Sequence, residues 1–397
     1  LSASTLLQRA VTVSAPLDER VQRALQQAID AQRPVGAVVL VARDGQLIHQ
    51  QAAGLADRES GRPMTLDTIF RLSSVSKPIV AAAALVLVAR GKLDLDEGVD
   101  RYLPAFQPRL ADGRLARITS RQLLSHTAGL GYRFLETDPD GPYARAAVSD
   151  GMDASGISQE ENLRRIASAP LLFEPGTAWH YSLSIDVMGA LIERIVGAPL
   201  DVAIHELVTE PLGMTDTSFF ARDAQRVATA YVSDEPQPHR LQEGETVPVF
   251  EGTVGIRYSP ARIFDACAFP SGGAGMAGTA ADFLRFLEAL RERGGVLLPD
   301  ALVNEMGRDQ TGGLELRDAP GFGFGLGFSV LRDRRLANSP ETDGTWRWGG
   351  AYGHAWFVDP AQRLSVVAFT NTLYEGMSGR FVTDVRDAVY GALQEAR

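Results

Sequence analysis

Strand-like sequence lies at both ends of this 397-residue chain and helical sequence fills the middle, and that order restricts the fold more than any other feature. Asp18 to Ala31 has helical periodicity, with Val21, Leu25, Ala28 and Ile29 on one side. Gly36 to Arg43 and Gln46 to Ala53 read as strands, and Asp44-Gly45 between them favours the tight turn of an antiparallel hairpin. Helices are expected at Ser120 to Ser125, Glu160 to Ser168, Ser184 to Val196, Leu200 to Val208 and Ala280 to Arg293, between loops rich in glycine and proline. The polar, proline-bearing stretch Ser233 to Pro260 is expected to run irregularly over the surface beside a substrate entrance. Strand character returns at Gly325 to Leu331, Trp346 to Gly349, Tyr352 to Val358 and Leu364 to Thr370, with Asp359-Pro360-Ala361-Gln362 as a turn, and a last helix follows from Gly379 to Leu393. The economical solution is an α+β protein. One antiparallel sheet is built from both ends of the chain and flanked by the N- and C-terminal helices, and a mostly helical domain is inserted. The expected division is 1–90 with 321–397 for the sheet domain and 91–320 for the insertion.

Composition removes several classes of function. A net charge of −10 and a pI near 5.2 argue against nucleic-acid and anionic-membrane partners. No run approaches the roughly 18 apolar residues of a membrane span. The single Cys267 cannot form an internal bridge and has no context that would lower its pKa. Leu1-Ser2-Ala3-Ser4 has neither the basic nor the apolar region of a signal peptide, so a cytoplasmic location is the expectation. His205-Glu206 lacks the second histidine of a His-Glu-x-x-His helix and no Cys/His spacing suits zinc, so neither a metal nor a cofactor is expected. The alternating glycines at 321, 323, 325 and 327 do not make a nucleotide loop; they read as a bare face on which another element packs closely.

The chemistry-bearing stretch is Ser73-Ser74-Val75-Ser76-Lys77-Pro78, followed by the apolar run Ile79 to Val88. Ser74 and Lys77 are three apart and so neighbours on a helix. Pro78 is tolerated only within a first turn, which puts Ser74 at the positive end of the helix dipole, where developing negative charge is stabilised. Ser-x-x-Lys arises by chance about once in a chain of this length at average composition. This chain has only two lysines, Lys77 and Lys92, and otherwise uses arginine. Lysine can lose its proton when desolvated and arginine cannot, so a lysine kept here points to chemistry. A helix-capping Ser74 beside a snorkelling Lys77 is the plain alternative. In Trp179-His180-Tyr181-Ser182-Leu183 a phenol stands before an expected helix; beside a positive Lys77 its ionised form is favoured and can accept a proton. Packing at a domain seam accounts equally for a tyrosine there. In Trp346-Arg347-Trp348-Gly349-Gly350-Ala351 the paired glycines allow a backbone to approach a ligand, or mark a turn.

Together these motifs resemble the serine β-lactamase and penicillin-recognising fold, and within it the family VIII carboxylesterases, over nearly the full length. Ser74-Val75-Ser76-Lys77 matches the first motif, Tyr181-Ser182-Leu183 the second (Tyr-x-Asn in class C β-lactamases), and Trp348-Gly349-Gly350 stands where those lactamases have Lys-Thr-Gly. Leu123-Leu124-Ser125-His126-Thr127-Ala128-Gly129-Leu130 and Pro270-Ser271-Gly272-Gly273 look like further hallmarks. The resemblance implies Ser74 as nucleophile, Lys77 and Tyr181 as a coupled base, and the backbone N–H groups of Ser74 and Ala351 as the oxyanion hole. It also implies a small-molecule ester as partner, with Trp348, Gly349, Gly350, Tyr132 and His354 lining the substrate pocket. Trp348 and Leu183 replace a cation and an amide of the lactamases by apolar surface, which suits a neutral ester better than a carboxylate-bearing lactam. Two readings remain on the same fold: a β-lactamase or D,D-peptidase, and a non-catalytic binding protein. A Ser-His-Asp hydrolase would centre on Ala147-Val148-Ser149-Asp150-Gly151, one glycine short of the usual elbow, with His126, His180 or His354 as base.

Overall fold

The computed structural model describes residues 8–9, 15–292 and 295–395; Leu1 to Ser4 and Arg293 lie outside them. Its longer helices are α1 (Ala15–Asp30), α2 (Ser76–Ala89), α3 (Gln159–Ser168), α4 (Ser184–Val196), α5 (Ala280–Arg291) and α6 (Arg380–Glu395). Its strands of three or more residues are β1 (Gly36–Arg43), β2 (Gln46–Asp57), β3 (Ile69–Arg71), β4 (Ala277–Thr279), β5 (Phe322–Phe324), β6 (Ser329–Leu331), β7 (Trp346–Gly350), β8 (His354–Asp359) and β9 (Leu364–Thr370).

The main sheet runs β2–β1–β9–β8–β7–β6–β5, antiparallel throughout, with the short strand Gln8–Arg9 parallel to the outer edge of β2. The β1–β2 hairpin turns on Asp44 and Gly45, both at positive φ (54° and 76°), the conformation a two-residue hairpin loop requires. Through β9 the N-terminal hairpin meets the C-terminal strands, with Val39 opposite Ala368 and Val41 opposite Val366. Being central, β1 is buried on both faces, which is why Gly36–Arg43 reads as an apolar run rather than an alternation. Ala37, Val39 and Val41 meet Leu17, Val21 and Leu25 of α1 and Phe381, Val385 and Val389 of α6 in one cluster. Val38, Leu40 and Ala42 belong to the larger core with α2 and with Phe283, Leu284 and Leu287 of α5.

That larger core is built around α2. A helix apolar on every side must be enclosed, and Ser76 to Leu87 are all buried. Ala81 to Ala84 let neighbours come close. A Cβ placed on Gly327 would stand 2.6 Å from the Ala81 Cβ, so only glycine lets the turn before β6 press on the helix. The expected strand Gly325 to Leu331 is accordingly strand only over Ser329–Leu331 (β6); its first four residues form the turn from β5, which ends at Phe324. The expected helix Leu200 to Val208 is also interrupted. It runs as Leu200–Ile204, widens by a residue over His205–Thr209, and ends at Glu210–Leu212, where Pro211 offers no N–H to the preceding turn. The stretch from 233 to 260 pairs its His239–Arg240 with Tyr231–Val232 just before it, and its Thr246–Val247 with its own Ile256–Arg257. Val254 and Gly255 N–H donate to the carbonyls of Glu136 and Phe134, which docks this stretch beside Tyr132. Among the described residues no helix is long and apolar enough to cross a membrane.

Candidate active site

Ser74 lies in a 3-10 turn, Ser73–Val75, that runs directly into α2. The turn enters from β3, and Ser73 takes the left-handed φ of 46° that redirects the chain. Ser73 Oγ accepts from Tyr352 N–H at 3.2 Å, tying the turn to the segment after β7. A Cβ on Gly350 would fall 2.6 Å from Leu72 O and 2.7 Å from Ser73 Oγ, so glycine is required for β7 to lie this close. Ala351 sits between these two contacts, and its N–H has no acceptor among the described residues. Ser74 N–H is in the first turn, where no intrahelical acceptor exists.

Two side chains converge on Ser74. Tyr181 Oη donates to Ser74 Oγ at 2.6 Å. Lys77 Nζ donates to Ser74 Oγ at 3.1 Å, to Tyr132 Oη at 2.9 Å and to Gly273 O at 2.8 Å. A carbonyl can only accept, and three acceptors account for the three N–H groups of an ammonium. The same Nζ lies 4.7 Å from the Tyr181 ring centre and 5.3 Å from that of Tyr132, distances at which aromatic faces attract a cation. Burial, and then the neighbouring Tyr181 and Asp186, push the Tyr132 phenol well above its ordinary pKa and keep it neutral. Tyr132, expected only in the pocket wall, is thus a direct partner of the lysine, and so is Gly273, on which sequence reasoning placed no role. The hallmark stretch ending at Gly273 was the available signal.

The Leu123 to Leu130 stretch has a structural task. Thr119 and Gln122 cap the short helix Ser120–Leu124 reciprocally, and the chain leaves it through His126 at a φ of 58°. His126 O accepts from His180 N–H at 3.0 Å and His126 Nδ1 accepts from Ser182 N–H at 3.2 Å, so one residue grips the chain on both sides of Tyr181. Leu183 N–H adds a bond to Gly131 O at 3.1 Å. His126 is fully enclosed; burial first, then the positive Lys77, hold its imidazole well below the ordinary range and neutral.

Trp348 is half-buried, with its ring 5.2 Å from that of Tyr181 and 5.1 Å from that of Phe324. Gly349 leaves room beside it, because a Cβ there would meet His354 O at 2.7 Å. Two expectations are corrected. Leu183 is wholly buried ahead of α4 and takes no part in the wall, so Trp348 alone carries the apolar replacement. His354 does not face the pocket. Its ring is enclosed between Phe70 and Phe369, and Nε2 donates to Arg71 O at 2.7 Å. The tight reversal at Gly353 (φ 115°) turns His354 under the sheet instead. Ser149 is buried, its Oγ donating to Asp153 at 2.5 Å, and among the described residues no histidine bonds to it, which leaves the rival elbow without its geometry. Among the described residues no group of three His, Cys, Asp or Glu side chains could hold a metal.

Burial lowers the His354 pKa to about 4. The unfolded chain takes its proton near pH 6.5, so between pH 6.5 and about 4 it binds the proton that the folded state refuses, and stability falls as pH falls, by roughly 3 kcal/mol over the window. Urea unfolding of the wild type and His354→Gln across this range checks it. The variant is expected to lose close to 1.4 kcal/mol per pH unit from the slope, and parallel slopes would contradict the assignment.

Against known proteins, a family model described as Beta-lactamase matches residues 21–390. Esterase EstB of Burkholderia gladioli is 51% identical over 379 residues, covering 95% of this chain and 96% of its own length. Lovastatin esterase of Penicillium rubens is 29% identical, covering 85% and 89%. Among solved structures, EstCE1, a hydrolase with promiscuous acyltransferase activity, matches with a TM-score of 0.93 at 47% identity, covering 95% of this chain and 99% of its own.

Proposed function

The chain belongs to the beta-lactamase family, and on that basis we propose that it is a serine carboxylesterase of the family VIII type, acting on esters of short to medium acyl chains through an acyl-serine intermediate. Two relatives over most of the length are esterases and a similar solved structure is a hydrolase with promiscuous acyltransferase activity, so ester hydrolysis is the reaction class. One observation carries the finer reading: Ser74 Oγ stands between Tyr181 Oη at 2.6 Å and Lys77 Nζ at 3.1 Å.

In this reading Ser74 Oγ attacks the ester carbonyl as its proton passes to the Tyr181–Lys77 pair. The three bonds that fit an ammonium favour Tyr181 as the atom that receives it, in the ionised form to which Ser74 Oγ donates across the same 2.6 Å contact. The N–H groups of Ser74 and Ala351 hold the oxyanion. Tyr181 returns the proton to the leaving alcohol, whose C–O bond breaks. Water, deprotonated by the same pair, then releases the acid and restores Ser74. An alcohol in place of water gives a new ester. The segments 1–90 and 321–397 would supply the nucleophile, the lysine and the oxyanion strand, and the inserted 91–320 would supply Tyr132, Tyr181 and Gly273, although α5 packs on the sheet. A cytoplasmic location is part of the same proposal.

Trp348 makes the wall beside Ser74 apolar where a lactam carboxylate needs a cation. A panel of p-nitrophenyl esters of increasing chain length, run beside nitrocefin, tests this. Short and medium esters are expected to exceed nitrocefin in kcat/KM by roughly 10³-fold or more. The reverse order would favour a β-lactamase, and no turnover with no serine adduct a binding protein.

A further inference from the structure

Asp186, in the first turn of α4, is a buried carboxylate that the mechanism above does not use. Its Oδ1 accepts from Ser271 Oγ at 2.5 Å. Its Oδ2 is buried and has no hydrogen bond of good geometry. A Cβ on Gly273 would stand 2.5 Å from this Oδ2, 3.3 Å from Tyr132 Oη and 3.4 Å from Lys77 Nζ. The bare Cα of Gly273 therefore lies between this oxygen and the ammonium, and the two are within roughly 6 Å of each other. Gly273 meanwhile gives its carbonyl to Lys77.

The geometry points to Asp186 as a positioning residue: the buried counter-ion of Lys77, which keeps the lysine charged so that Tyr181 is the group that takes the Ser74 proton. The inference rests on the esterase reading and adds to it the source of the charge balance. Other charged and titratable groups surround the carboxylate. Tyr132 lies across Gly273. Arg262 approaches from the turn at 260–264, itself beside Asp153, and Asp150 adjoins Gly151, whose added Cβ would lie 3.6 Å from Oδ1. Burial raises the Asp186 pKa, while Ser271, Lys77, the Gly273 N–H and Arg262 favour the charged form. Arg262 spends its own donors on Asp153 O and Phe269 O, which leaves Lys77 as the cation facing Oδ2.

Asp186→Asn keeps the shape and can still bond Ser271, but removes the charge. The protons of the Lys77–Tyr181 pair should then leave more easily, and the acid limb of kcat/KM for a p-nitrophenyl ester should move to lower pH by roughly one to two units. A role in packing alone would lower activity without moving the limb. An unmoved limb in a folded Asp186→Asn overturns the inference. If that variant does not fold, the reciprocal measurement decides. The infrared difference spectrum of Lys77→Met against wild type at pH 7 should gain the carbonyl band of one protonated buried carboxyl, and its absence overturns the inference. Fluorophosphonate labelling of wild-type Ser74 runs as the control. Failure to label Ser74 defeats the esterase reading itself, whereas labelling with an unmoved limb defeats only the role of Asp186.

Discussion

Replacing Ser74 by alanine is expected to lower kcat/KM for a short p-nitrophenyl ester by about 10⁴-fold or more, leaving only background turnover. The loss should be clean because Ser74 is only half-buried and holds up nothing else. Its Oγ accepts from Lys77 and Tyr181, and both keep other contacts: the lysine with Tyr132 and Gly273, the tyrosine ring with Trp348. The melting temperature should shift by no more than about 4 °C. Steady-state kinetics and a thermal scan check the two halves separately. Turnover near the wild-type level in the folded variant would end the assignment.

The second large effect concerns the proton. Tyr181→Phe removes one oxygen and keeps the ring against Trp348, Tyr132 and His126, with centres 5.2, 5.1 and 4.9 Å away. A fall in kcat of about 10²- to 10⁴-fold is expected, the range for a lost general base. Lys77→Met keeps most of the buried volume but leaves Gly273 O and Tyr132 Oη without their donor, and a loss at least as large is expected. The double variant should be little worse than the poorer single one, because the phenol and the ammonium act on one proton as a unit. Losses that multiply would mean that the two act independently.

What the sequence made legible follows a physical division. The β1–β2 hairpin and α2 are local matters: turn chemistry at Asp44-Gly45, and an apolar run with a proline only a first turn accepts. The joining of both chain ends in one sheet follows from where strand sequence occurs. Ser74 and Lys77 stood out because lysine is so scarce here, and Tyr181 joined them through the resemblance. Partners offered by the backbone did not. Every residue has a carbonyl, so nothing in Gly273 announces that Lys77 will bond to it. Asp186 is one of 49 acidic residues, and only packing reveals that it is enclosed across Gly273 from Lys77. Leu183 and His354 were misplaced for a common reason. Each adjoins a correctly recognised motif, but one residue of rotation at a helix start, or one tight reversal at Gly353, decides whether a side chain faces the site or the core.

The most direct measurement is to treat the protein with a tagged fluorophosphonate, digest it and identify the modified residue by mass spectrometry. The expected result is a single adduct on Ser74, formed in the wild type and strongly slowed in Tyr181→Phe. An adduct on Ser149 or any other serine, or no adduct in an enzyme that turns over esters, would contradict it.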